Sequence, residues 1–157
     1  MELPNNKQDM GLKPRFTRSV ISQAVEKHKA QFREAVINRF ELVGWEFVKA
    51  AREKTANEGG FNDVTGNLRS SIGFAIVDHG RIVQENFDGA QAIGKQEAES
   101  FISELLGDFE DGYALIVVAG MGYAAAVESK GKDVITGSSL EAEATLKTAI
   151  RMLKRSL

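Results

Sequence analysis

The chain has 157 residues, no cysteine, and 20 basic against 22 acidic side chains, which gives a formal net charge of −2. The missing cysteine excludes disulfides, thiolate metal sites, iron–sulfur clusters and thiol nucleophiles, and two histidines leave little for a histidine-rich metal site. No apolar run reaches the roughly 18 residues of a membrane span, and the amino terminus lacks a signal-peptide core. We therefore expect a soluble, intracellular protein without a membrane partner.

The charge is unevenly distributed along the chain. Residues 1–60 carry 11 basic and 8 acidic side chains, whereas residues 61–157 carry 9 and 14. Between Glu85 and Gly112, eight acidic side chains are opposed only by Lys95. Such a segment would repel a phosphate backbone, and no aromatic-and-basic interleaving accompanies the basic part. We expect protein partners and no sequence-specific nucleic acid.

The amino-terminal part predicts an arm followed by a long helix. Residues 1–15 are polar and contain both prolines, which is typical of a flexible arm. Apolar residues then recur three and four apart from Phe16 to Ala51, with Thr17 or Ser19 as N-cap and Gly59-Gly60 as the stop.

The length of this predicted helix is informative. About 38 residues would span about 57 Å, which exceeds the roughly 40 Å diameter of a compact domain of this size. Either the helix bends near Gly44 and Trp45, or its apolar face continues onto a partner subunit. The candidate subunit-interface residues on that face are Phe32, Val36, Phe40 and Phe47.

Short strand patterns follow the long helix. Residues 71–78 alternate as a half-buried strand, His79-Gly80 predicts a tight turn, and residues 81–85 return. The apolar run 113–118 predicts a central strand, and residues 133–136 predict a short edge strand.

Two further helices complete the expected α+β fold. An acidic insertion, residues 86–111, contains an amphipathic helix, and the last helix begins with a predicted capping box at Ser138 and Glu141. We expect one α+β domain over residues 16–157, with a long N-terminal helix, a small mainly antiparallel sheet, the inserted helix and a C-terminal helix. The buried stripe of the last helix is Leu146, Ile150, Leu153 and Leu157.

The candidate chemistry is sparse. Gly89 to Lys95 has the spacing of a phosphate-binding loop, but Gln96 stands where such a loop needs Ser or Thr. His28 falls on the apolar helix stripe and His79 in a turn, so neither predicts a metal ligand. We expect no enzyme activity, no catalytic residue, no metal and no cofactor. Glu128 is read as a charge-pair partner or a backbone cap.

Two motifs carry a resemblance. The first is Thr-Gly-x-Leu-Arg-x-Ser-Ile, which predicts a helix-to-sheet junction with its arginine facing out, and the second is Tyr-Ala-x-x-Val-Glu. Together with the long first helix and the closing helix, they resemble the small tail-completion or head–tail joining (neck) proteins of long-tailed bacteriophages. The motif residues are Thr65, Gly66, Leu68, Arg69, Ser71 and Ile72, then Tyr123, Ala124, Val127 and Glu128.

The resemblance implies a structural virion protein of a phage or prophage. Such a protein assembles, often as a ring, with itself and with neck, tail or head-connector proteins, in the host cytoplasm first and then in the virion. The chain departs from the family before the first motif, where Asn62-Asp63-Val64 replaces the usual proline, and after Glu128. The alternative is a non-viral intracellular protein-binding module that dimerises through the long N-terminal helix.

Overall fold

The computed structural model describes residues 15–155, which form five α-helices and three β-strands and confirm the α+β class. The predicted arm, residues 1–15, lies outside this range except for Arg15, and so does Leu157 of the predicted C-terminal stripe. The helices are α1 (Arg18–Glu53), α2 (Asn67–Ser70), α3 (Ala92–Leu105), α4 (Ala124–Glu128) and α5 (Thr136–Arg155). The strands are β1 (Ile72–Asp78), β2 (Arg81–Asn86) and β3 (Tyr113–Ala119), and 3₁₀ turns cover Ala56–Glu58 and Leu106–Phe109.

The chain divides into two compact units, residues 1–33 and 34–157. In the first unit, the described residues 15–33 comprise the start of α1, and every one of them is exposed. The second unit holds the rest of α1, the whole sheet and helices α2 to α5. The hydrophobic core described below belongs to the second unit.

The sheet is antiparallel, with β1 in the centre and the order β2-β1-β3. His79 and Gly80 both have positive φ angles, 47° and 75°, as a two-residue type I′ hairpin requires. The hairpin is therefore confirmed. The prediction that residues 113–118 form the central strand is wrong, because β3 pairs with β1 alone.

Strand β1 is buried on both faces, so the expectation of a half-buried strand is also wrong. Its alternate side chains enter two separate cores, one shared with α1 and α5 and one shared with α3. The acidic insertion supplies the helix that covers the second face, through Ala98 and Ile102. The first core takes Ile72, Phe74 and Ile76 from β1, and the second takes Ala75 and Val77.

Helix α1 runs without interruption through Gly44 and Trp45. A Cβ atom on Gly44 would lie 2.7 Å from the ring of Phe74, so the missing side chain lets the helix backbone approach β1 closely. Thr17 is the N-cap, since its Oγ1 accepts the Val20 N–H at 3.4 Å. The helix ends at Glu53, before the predicted stop, and Gly59, with φ of 85°, ends the following 3₁₀ turn instead.

Helix α5 begins at Thr136, two residues before the predicted N-cap. Ser138 is 5% exposed and lies inside the helix, so the capping box at Ser138 and Glu141 is wrong. The edge strand predicted for residues 133–136 is wrong as well, because these residues form the loop and first helical residue. The acceptors for the N-terminal N–H groups of α5 come from Glu128 and Asp133.

Candidate functional site

The first motif forms a compact turn between α1 and β1. Gly66 precedes α2 with a φ of 76°, a left-handed conformation that favours glycine. Thr65 Oγ1 accepts the Asn67 N–H at 3.3 Å, and Leu68 and Ile72 are buried in the first core. The motif is therefore a helix-to-sheet junction, as its sequence predicts.

Arg69 points inward, contrary to the expectation that it faces out. Its guanidinium donates hydrogen bonds to the carbonyl oxygens of Arg52, of Lys54 (3.2 Å) and of Phe61 (3.1 Å). It also lies over the Phe61 ring, 4.8 Å from the centroid. The carbonyls at the end of a helix have no intrahelical partner, and the planar fork of an arginine satisfies several of them at once.

Asp63 fixes the segment just before the first motif. Its carboxylate accepts the Gly66 N–H at 2.9 Å and the Arg69 N–H at 2.6 Å. A side chain that accepts two backbone donors holds the turn before α2 in place. The carboxylate of Asp63 thus fixes the backbone between the 3₁₀ turn and α2.

The serines of the first motif connect it to the neighbouring elements. Ser71 Oγ donates to the Leu68 carbonyl (2.8 Å) and accepts the Met121 N–H (3.3 Å), while the Ser71 carbonyl accepts the Gly120 N–H (3.0 Å). Ser70 Oγ accepts the Gln91 N–H at 3.0 Å, just before α3. The junction thus fixes the exit of β3 and the entry of α3.

Arg52 is a structural residue that the sequence reasoning missed. It donates to the carbonyls of Ile72 (2.6 Å) and Asp88 (2.7 Å), and so ties the end of α1 to the sheet. Burial lowers the pKa of its guanidinium, and the charge of Asp88 partly counters that effect. The sequence signal for this role is weak, because Arg52 looks like an ordinary basic residue in a last helical turn.

Glu128 of the second motif is a backbone cap. Its carboxylate accepts the N–H groups of Val134 (3.3 Å), Ile135 (2.9 Å) and Thr136 (3.0 Å), and also the Thr136 hydroxyl (2.9 Å). Burial raises the pKa of this carboxyl, but the hydrogen bonds outweigh burial and leave the pKa below its ordinary value. A carboxylate at the N-terminus of α5 also complements the helix dipole.

A second connection reaches the same loop from α1. Lys54 forms an ion pair with Asp133, whose other carboxylate oxygen accepts the Gly137 N–H at 3.0 Å. The hydrogen bond to Asp133 raises the pKa of Lys54, while the pKa of Asp133 is lowered by its partners against the opposing effect of burial. The loop after the second motif is thus held by Glu128 of α4 and by Lys54, which directly follows α1.

An apolar cavity of about 360 Å³ opens beside the second motif. We call it the α3–α4 groove. Glu128 is the ionisable group among its lining residues, and its carboxylate is occupied by the cap described above. The groove is lined by Phe101, Ala119, Gly120, Met121, Gly122, Ala124, Ala125, Glu128, Val134 and Ile135.

The other residues of the second motif lie around this groove. Ala124 is half-buried and lines it, Val127 is half-buried against the first core, and Tyr123 is 42% exposed. On α3, Ile93, Glu97, Phe101 and Glu104 are exposed and share one helix face by their spacing of four, four and three. The groove is thus apolar inside, with acidic side chains beside Phe101.

The candidate interface residues are mostly internal. Val36, Phe40 and Phe47 are 5%, 3% and 2% exposed and belong to the first core, so their assignment to a subunit interface is corrected. Phe32 is 36% exposed, in the first unit. The other large apolar side chains that α1 exposes include Val20 (53%), Ile21 (47%) and Val25 (44%) near its start, and Leu42 (56%) and Trp45 (46%) further along.

The residues weighed for chemistry have local structural roles. A Cβ atom on Gly89 would lie 2.5 Å from Ser70 Cα, and one on Gly94 would lie 2.9 Å from the Ser71 nitrogen. These glycines therefore allow close packing against α2. His79 occupies the hairpin turn, and His28 is exposed on α1.

Residues 15–155 contain neither a cluster of metal ligands nor a helix that could span a membrane. No group of three or more His, Asp or Glu side chains in this range is placed to hold a metal ion. Over the same range, no helix has both the length and the apolar character needed to cross a bilayer.

Comparison with protein-family models, with curated proteins and with solved structures found no match to the chain.

Proposed function

We propose that the chain is a structural protein of the head–tail junction of a long-tailed phage or prophage, where it acts in tail completion or head–tail joining. It does so by protein–protein assembly and catalyses no reaction. One observation supports this most directly: polar residues of both motifs form hydrogen bonds that hold neighbouring elements of the fold together. Arg69 and Ser71 hold the first junction, and Glu128 caps α5.

The surfaces of the two units support an assembly role. The first unit exposes apolar side chains on α1, and the second exposes a groove with acidic side chains beside it. In the proposal, the partners are further copies of the chain and neck, tail or head-connector proteins. The protein is located in the host cytoplasm during assembly and afterwards in the virion neck.

The test combines gene neighbourhood with reconstitution. The flanking genes are expected to encode portal, capsid or tail proteins, and the purified chain is expected to form a complex with the connector and tail proteins encoded beside it. Light scattering over a concentration series, with and without those proteins, measures the assembly. Unrelated flanking genes, together with an inert monomer in every mixture, would contradict the proposal.

The exposed helix face also favours a second candidate. Val20, Ile21 and Val25 lie within two turns of one helix, so two copies could pair through this face as a simple dimer. The protein would then be an intracellular binding module. A dimer that forms no larger assembly, and that tolerates a blocked α3–α4 groove, would support this candidate over the first.

A further inference from the structure

The start of α1 has the features of a ligand helix. Val20 and Ala24 are four residues apart, as are Ile21 and Val25, so these four side chains form one apolar face. Lys27 is seven residues after Val20 and Arg18 seven before Val25, which places a basic side chain along each edge of the face. We call this set the basic–apolar face.

The α3–α4 groove has the complementary features. Phe101, Met121 and Ala125 line an apolar cavity of about 360 Å³. Glu97 and Glu104 flank Phe101 on the exposed side of α3. An amphipathic helix with basic edges binds such a groove through its apolar anchors, and the charges set its register.

Charge distinguishes this groove from a second large cavity. A cavity of about 430 Å³ along α5 is lined by Lys147, Arg151 and Lys154, with Glu143 already paired to Lys147. That surface would repel the basic edges of α1. Phe101 of the α3–α4 groove belongs to the acidic segment that has a single lysine, and Glu97 and Glu104 flank it, so this groove is the attractive site.

We propose that the basic–apolar face of one copy of the chain docks in the α3–α4 groove of a second copy. This inference rests on the self-assembly part of the proposed function and names its contact. The two surfaces differ, so the interface is heterologous, and its repetition leads to a ring or an open filament. Every copy donates one helix and accepts another.

Cysteine pairing tests the contact directly, because the chain has no cysteine of its own. Ile21→Cys and Ala125→Cys are made separately in the full chain, and both positions are exposed. Mixing the two variants under mild oxidation is expected to give a covalent heterodimer, with at least roughly tenfold more product than a control mixture of Ala30→Cys and Ala144→Cys. A dimer formed by Ile21→Cys alone, or equal yields in both mixtures, would overturn the proposal.

Complementation tests the same contact without cross-linking. Ile21→Glu/Val25→Glu blocks the helix, and Ala125→Phe fills the groove. Each variant is expected to be monomeric in sedimentation velocity, whereas their mixture forms a dimer through the one intact pair of surfaces. The matched controls, Ser22→Glu/Ala30→Glu and Ala144→Phe, are expected to assemble as the unaltered chain does. Far-UV circular dichroism checks that each variant is folded.

Reversing the charges on both surfaces tests how the helix is aligned in the groove. Glu97→Lys/Glu104→Lys is expected to raise the dissociation constant roughly tenfold, as the loss of two peripheral ion pairs predicts. Adding Arg18→Glu/Lys27→Glu to the same chain is expected to restore affinity. Variants that still assemble although the helix face or the groove is blocked, or a charge exchange that does not restore affinity, would refute this contact but leave self-assembly standing. An unaltered chain that stays monomeric would contradict self-assembly itself.

Discussion

The two parts of α1 make an instructive comparison. Apolar residues recur three and four apart in both, yet residues 18–33 are all exposed, whereas residues 34–53 contain seven buried positions. In the second part, Phe40, Val43 and Phe47 pack into the first core with β1 and α5. The periodic pattern therefore predicts a helix in both parts. It does not tell which part is buried in the hydrophobic core.

The largest expected effect is a loss of stability when a buried side chain of α1 is truncated, compared with an exposed one. Phe47→Ala removes a 2% exposed ring from the first core and should lower the free energy of unfolding by about 3–5 kcal/mol. Urea unfolding of the full chain measures it. Val20→Ala, at a 53% exposed position of the same helix, should stay within about 0.5 kcal/mol. Equal losses would show that the start of α1 is covered after all.

The next effect concerns the end of the buried part. Arg69→Met removes the donors for the carbonyl of Arg52 in the last turn of α1 and for two carbonyls that follow the helix, and it should cost about 2–3 kcal/mol. Arg69→Lys retains the charge but not the planar fork, so it should recover less than half of that loss. Chemical denaturation compares the two variants, and full recovery by lysine would argue against the capping role.

The next expected change in stability is smaller, and it compares two valines in the two parts of α1. Val43 is 1% exposed and Val25 is 44% exposed, both within α1. Val43→Ala should destabilise by about 2 kcal/mol, and Val25→Ala by less than about 0.5 kcal/mol. Thermal unfolding in dilute solution, where self-association is minimal, reads the difference.

The smallest effect acts through α5, the helix that packs over the buried part of α1. Glu128→Gln weakens the cap of α5 and should cost about 1 kcal/mol at neutral pH. The pKa of this carboxyl is held below its ordinary value of 4.5, so its stabilising contribution is complete above that value and is lost as the pH falls through the lowered pKa. Unfolding free energies of both proteins from pH 7 to pH 3 should therefore converge at the acidic end.

A matched control accompanies this series. Glu34→Gln makes the same chemical change at an exposed side chain of α1, outside the proposed contact. Its difference from the unaltered chain should be small at every pH. A difference for Glu128→Gln that is independent of pH would show that lost packing, and not the charged cap, explains the effect.

The sequence predicts local structure well where the signal is local. The helix pattern of α1, the His79-Gly80 hairpin and the antiparallel sheet all follow from periodicity and turn chemistry. The apolar run of β3 predicts a central strand, but β3 is an edge strand. Such a run reports that both faces of a strand are buried, and it does not report neighbours on both edges.

Contacts between distant segments could not be predicted in the same way. The acidic composition of residues 86–111 suggested an insertion, but α3 buries Ala98 and Ile102 over the second face of β1. The direction of Arg69 depends on where α1 ends, because the free carbonyls of the helix are what attract it. The capping of α5 by Glu128 links residues eight apart through a loop that no sequence motif describes.

Several side chains connect separate segments of this fold by hydrogen bonds, and we call these connections joints. They share a property that bears on how the sequence can change. Arg52, Arg69, Ser71 and Glu128 all bind main-chain atoms of their partners. A main-chain carbonyl or N–H is present whichever residue occupies the position, apart from the missing N–H of proline. Each joint thus constrains one residue where a pair of side chains would constrain two. Substitution at the positions that supply only a main-chain carbonyl or N–H leaves the joint intact, except for proline where an N–H is needed, and the scaffold can be kept while much of its sequence drifts.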